Sequence, residues 1–137
     1  MTKQKMPIST YNGYLIVAAL LPSILLFPLT CLASPIGAIA NIHIQEQGIG
    51  QRSEGCAKFV ISPAQVQAFF ERAVLISARQ QHDFFLYGPC TACGTLESRY
   101  GQWQWVIRNL GTATLTASNG DTFLLGDPDQ ESDLSGE

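Results

Sequence analysis

The chain has 137 residues, with 8 basic and 11 acidic side chains and a formal net charge of −3. That length supports one small domain and not two. With no excess of positive charge, it offers neither a nucleic-acid face nor a polybasic lipid-binding patch.

The first residues carry a targeting pattern. Lys3 and Lys5 precede the apolar run Leu15–Phe27, and no side chain from there to Glu46 is charged. The run is 13 residues long, inside the roughly 7–15 of a signal-peptide core. Carried through to Ala33 it reaches 19, close to the roughly 20 needed to span a bilayer. Pro22 and Pro28 interrupt it, which a signal tolerates better than a lone spanning helix does. Residues 1–33 therefore read as a secretory signal peptide. Cys31-Leu32-Ala33 places small residues at the cleavage positions, and Ala38-Ile39-Ala40 is a second site. An uncleaved membrane anchor over residues 14–33 is the alternative. A lipoprotein acylated on Cys31 is a third, but Pro28-Leu29-Thr30 fits its recognition motif poorly. The expected location is periplasmic or secreted, or the inner membrane if the signal is retained.

Removing residues 1–33 leaves 6 basic and 11 acidic side chains, five of the acids within the last eleven residues. The body, 34–126, is then electrically balanced. Residues 127–137 lack apolar periodicity and read as an acidic, disordered tail.

Residues 34–55 read as an irregular segment with one possible strand, Ala40–Gln45, followed by a flexible Gln47–Gln51 loop. Ala57–Ile61 is a second short strand candidate. Ser62-Pro63-Ala64-Gln65 is a helix start, with a reciprocal Ser/Gln cap and proline at the first helical position. Val66, Phe69, Phe70, Ala73 and Val74 recur at helical spacing, so the pattern predicts one helix from about Pro63 to Ala78. Period two follows: Asp83–Tyr87, Thr95–Arg99, a strand with Trp103, Trp105 and Ile107 on one face, and Thr112–Ala117. Asn119-Gly120 then marks a hairpin into Thr122–Leu125. The expected fold over 56–126 is α+β, one amphipathic helix packed on an antiparallel meander. The opposite sheet face would show Gln102, Gln104, Thr112, Thr114 and Thr116 to water or to a partner.

Cys56, Cys90 and Cys93 are the chemistry-bearing residues left after cleavage. Cys90-Thr91-Ala92-Cys93 has the spacing of a redox pair, but no helix follows to lower a thiol pKa. In an oxidising compartment the simpler reading is a structural disulfide from Cys56 to either Cys90 or Cys93. With His82 the three cysteines could form a Cys₃His metal set, but paired knuckle spacing is missing. His82-Asp83 could pose as a base and its orienter, yet no serine sits in a nucleophile-elbow context. Trp103 and Trp105 share a face and read as core rather than as a binding stripe.

The run Cys56-x-x-Phe59, Ser62-x-x-Gln65-Val66-x-x-Phe69-Phe70-x-x-Ala73, Pro89-Cys90-x-x-x-Gly94-Thr95-Leu96 and Trp105-x-Ile107 resembles a group of small exported proteobacterial proteins of unknown function. The resemblance covers about residues 56–126. Members of that group end in a Cys-containing strand where this chain has Leu125-Gly126-Asp127. The resemblance implies export and brings no activity. The expectation is a non-enzymatic protein-binding module of the inhibitor or immunity kind, with no cofactor, metal or nucleic acid. A thiol-disulfide redox protein using Cys90 and Cys93, or a membrane-anchored envelope component, are the alternatives.

Overall fold

Alternating apolar and polar residues from Thr91 onward fold into strands that turn back on one another. A computed structural model describes residues 34–130, which lie within one compact unit, Cys31–Glu137. The signal or anchor segment, Cys31 and residues 131–137 lie outside the described residues. The elements are β1 (Ile39–Ile49), α1 (Pro63–Arg72), β2 (Val74–Leu75), α2 (Ala78–Phe84), β3 (Thr91–Ser98), β4 (Gly101–Arg108), β5 (Thr112–Ala117) and β6 (Thr122–Gly126). They make one six-stranded antiparallel sheet in the order β1-β3-β4-β5-β6-β2. The fold is α+β.

Period two sorts β3, β4 and β5 cleanly between two faces. Ala92, Leu96, Trp103, Trp105, Ile107, Ala113 and Leu115 are buried on the inner face, where Val66, Phe69 and Phe70 of α1 pack with them. Phe69 and Phe70 meet edge to face at 5.2 Å between ring centroids. Both indoles bury their rings and keep a polar partner. Trp105 Nε1 donates to the Thr95 carbonyl at 3.1 Å, and Trp103 Nε1 donates to Ser98 Oγ at 2.9 Å. Gly94 has no room for a side chain: an added Cβ would run into the His43 carbonyl and lie 2.6 Å from Trp105 Cζ2. The Asn119-Gly120 turn closes the β5–β6 hairpin, with Gly120 at φ +92°.

Several expectations from the sequence need correction. Residues 39–49 are not irregular; they form an eleven-residue edge strand paired with β3. Its pairing is interrupted by bulges, and Asn41 and Gly48 have positive φ. Those irregularities hide the period that would have marked a strand, and they blunt an exposed edge. Ala57–Ile61 is not a ladder strand. Cys56–Lys58 is a 3-10 turn, and the segment after it is held to β1 by Gln47 Oε1, which accepts from the Ile61 N–H at 3.0 Å.

The single helix predicted to Ala78 is two helices. α1 stops at Arg72, and the chain goes extended at Ala73 so that Val74 and Leu75 pair with Gly126 and Leu125. Helical spacing alone could not show this, because Val74 continues the apolar stripe of a helix, whereas in the extended chain it is exposed. Ser77 then starts α2 with a second cap of the same kind. The strand expected at Asp83–Tyr87 is the end of α2 and a loop, with Phe85 buried against Gly126.

The acidic tail is ordered at its start. Asp127 is 1% exposed and accepts a hydrogen bond from Arg72 Nη2 at 2.8 Å, and Pro128–Gln130 forms a 3-10 turn. A tertiary partner 55 positions away is invisible to local composition. Among the described residues no helix is long and apolar enough to cross a membrane.

Candidate functional site

Cys56 and Cys90 are joined by a disulfide. The bond ties the turn after β1 to the residue before β3, and the chain between the two sulfurs carries α1, β2 and α2. Both cysteines are buried. Cys93 is not in a bridge and is only partly buried. Alternation along an extended chain explains the choice. Cys90 shares the inner side with Ala92 and Leu96, while Cys93 projects from the outer face between Thr91 and Thr95. Residues three apart on a strand point to opposite faces, so this Cys-x-x-Cys does not bring its sulfurs together. The Cys₃His set does not converge either: two of its thiols form the bridge, and no group of three His, Cys, Asp or Glu among the described residues could hold a metal ion. His82 stands exposed on α2 with Nδ1 2.9 Å from Asp83.

Among the clefts of the described residues, two lie on opposite faces of the sheet and matter for function. The inner-face groove, about 380 Å³, is built where α1 does not reach. Trp103, Leu115, Leu125 and Phe123 form its floor, Ile36 and Leu75 close its ends, and Ser118, Asn119 and Asp121 rim it. Leu75 is 54% and Tyr100 61% exposed, and Phe123 stands half open with its ring edge-on to Trp103 at 5.9 Å. An apolar floor with a polar rim is the anatomy of a protein-binding hot spot. Trp103 itself is core, as its alternation predicts. The signal for the groove lay in Leu75 and Phe123, large apolar residues that no covering element shields.

The outer-face cavity, about 580 Å³, lies between α2 and the sheet. Thr112 and Thr114 of β5 and Leu124 of β6 line its sheet side, with Arg108 at the end of β4. Gln102 and Gln104 are exposed on this face as expected, but Thr112 is 2% exposed. Burial under α2 and Phe85 accounts for the difference. The Arg108 guanidinium donates from Nη1 to the Gly88 carbonyl at 3.0 Å and lies 5.1 Å over the Tyr87 ring.

Three charged groups elsewhere have their titration shifted by partners within the chain. The Arg72 guanidinium is pushed up by its hydrogen bond to Asp127 and by the charge of that carboxylate. Asp83 is held below the usual carboxylate range, first by its hydrogen bond to His82 and then by Arg79. Glu97 is lowered by the amides of Asn41 and Gln102. None of these pairs lines the groove floor. No protein-family model, curated protein or solved structure matches the chain.

Proposed function

We propose that this chain is an exported, disulfide-stapled, non-enzymatic domain that binds another protein, in the manner of an inhibitor or immunity protein. The observation that carries the reading is the inner-face groove, in which Phe123 and Leu75 stand uncovered beside a buried Trp103, among the polar side chains of Ser118, Asn119 and Asp121. Such a groove accepts one or two apolar anchor side chains presented by a partner's loop, and desolvating them supplies most of the affinity. The Cys56–Cys90 bridge supports an oxidising compartment, since structural disulfides persist there and are reduced in the cytosol. Cleavage after Ala33 suits the fold better than cleavage after Ala40. The second cut would remove buried Ile36, one wall of the groove, together with the first residues of β1. The resemblance over residues 56–126 adds no activity, so the functional reading rests on the groove.

Site-specific photo-crosslinking in the producing cell tests it. A benzophenone side chain at Phe123 should capture one protein species, and Leu75→Asp on the same chain should release it. The same group at Gln104, on the opposite face, should capture nothing in common. Crosslinks to lipid alone, or none from the groove, would overturn the reading. N-terminal sequencing of the same sample should find Ser34 first. A full-length, membrane-bound chain would replace export by the anchored alternative.

A further inference from the structure

We propose that the cavity under α2 binds a single carboxylate group carried on an apolar body. Arg108 supplies the charge. A guanidinium has five N–H donors, and protein contacts use one of them, at the Gly88 carbonyl. Among the described residues no carboxylate pairs with Arg108; the ion pairs are those of Arg72, Arg79 and His82. Its position is fixed by Gly88 and by the Tyr87 ring beneath it, so the open donors are pre-oriented rather than free to swing.

Thr112 is the second observation. It lines the cavity, no hydrogen bond within the described residues uses its hydroxyl, and that oxygen is not among the sealed, unpartnered side-chain atoms, so it opens to the cavity. A cavity-facing hydroxyl with no partner in the chain is free to donate to a bound acceptor. The Ile107–Ala113 pairing puts Arg108 and Thr112 one register step further along, side by side on the outer face. Thr114 lines the same wall.

The remaining lining selects the class of ligand. Phe85, Leu86, Leu124 and Ala78 present apolar surface, with Gln81 and His82 of α2 beside them, and the volume of about 580 Å³ falls within the roughly 300–1,000 Å³ of small-molecule sites. One unpaired guanidinium matches one negative charge. A phosphate dianion would call for a second cation, but Arg79 and His82 are already engaged by Asp83. A planar fork also fits a carboxylate in bidentate geometry. Two sources share this chemistry: a free medium-chain or aromatic acid, and the C-terminal carboxylate of a peptide with an apolar last residue. The cavity lies on the opposite face from the groove, so either proposal can fail without the other.

The test is a titration of the full chain, followed by NMR at the Arg108 side chain and the Thr112 and Thr114 amides. The probes are octanoate, its neutral counterpart octanol, and a hexapeptide ending in Leu-Phe with a free or an amidated C-terminus. At least one of the two carboxylates should shift all three signals, while octanol and the amide should not. Octanoate alone identifies a free acid as the ligand, and the peptide alone identifies a chain terminus. Arg108→Gln should abolish the shifts, and Arg108→Lys should weaken binding about tenfold through loss of the fork. Thr112→Val, nearly isosteric, should weaken binding and is the deciding variant if Arg108→Gln fails to fold. Equal shifts with octanol, retained binding in Arg108→Gln or Thr112→Val, or no shift with either carboxylate at about 10 mM, well above a millimolar dissociation constant, would each overturn the proposal.

Discussion

The two helices start alike and end in opposite roles. Ser62 Oγ accepts from the Gln65 N–H at 3.2 Å, and Gln65 Oε1 accepts from the Ser62 N–H at 2.8 Å. Ser77 and Gln80 repeat this at 3.1 and 2.8 Å. Yet α1 buries Val66, Phe69 and Phe70, whereas α2 buries none of its residues. A cap fixes where a helix begins and contributes about 1 kcal/mol. Packing of an apolar face then decides whether the helix is a pillar or a cover. α1 closes the core. α2, with no buried residue to hold it, stands over the outer-face cavity and opens at lower cost than the sheet beneath it.

Phe70→Ala should show the largest effect. The ring is fully buried between α1 and the sheet, so its loss should cost about 3–5 kcal/mol. Urea denaturation measures this directly, and a loss below about 1 kcal/mol would remove α1 from the core. Breaking the Cys56–Cys90 bridge comes next. It closes the chain across both helices, so Cys56→Ala or a reductant should each lower stability by about 2–5 kcal/mol. Unequal losses from the two treatments would mean that the substitution acts through packing instead.

The smallest effects set the two caps against each other. Ser62→Ala should destabilise the whole domain by about 0.5–2 kcal/mol. Ser77→Ala should change the global midpoint by less than about half as much, because α2 can fray without exposing the core. Amide exchange should instead rise locally in residues 78–84. Equal global losses for both substitutions would show that α2 is as integral to the fold as α1.

Much of the architecture was legible where local signals agree. The Ser62/Gln65 cap, the Trp103–Trp105–Ile107 face and the Asn119-Gly120 turn each reappear in the structure as read. The break after Arg72 was not legible as read, although the Ser77-x-x-Gln80 repeat of the first cap was present in the sequence to suggest it. The bulged β1 gave no clean period. Neither cleft was read, because each depends on which strand neighbours which: Leu75 reaches the groove only through β2's pairing with β6, and Thr112 is covered only because α2 and Phe85 pack over the neighbouring β6.

By itself the sequence determined the local vocabulary. Backbone hydrogen bonds at caps and turns, and the two-residue alternation of side chains, act over a few residues and leave their mark in adjacent letters. It also narrowed the bridge to Cys56 with Cys90 or Cys93. Only the tertiary structure decided the rest. The sheet face chose Cys90 over Cys93, and pairing to a distant strand ended α1. A cation from α1 ordered Asp127, and the uneven cover of the two helices left the inner-face groove and the cavity under α2 open. These outcomes depend on burial and on contacts between residues far apart in the chain, and no local pattern encodes which distant surface will arrive.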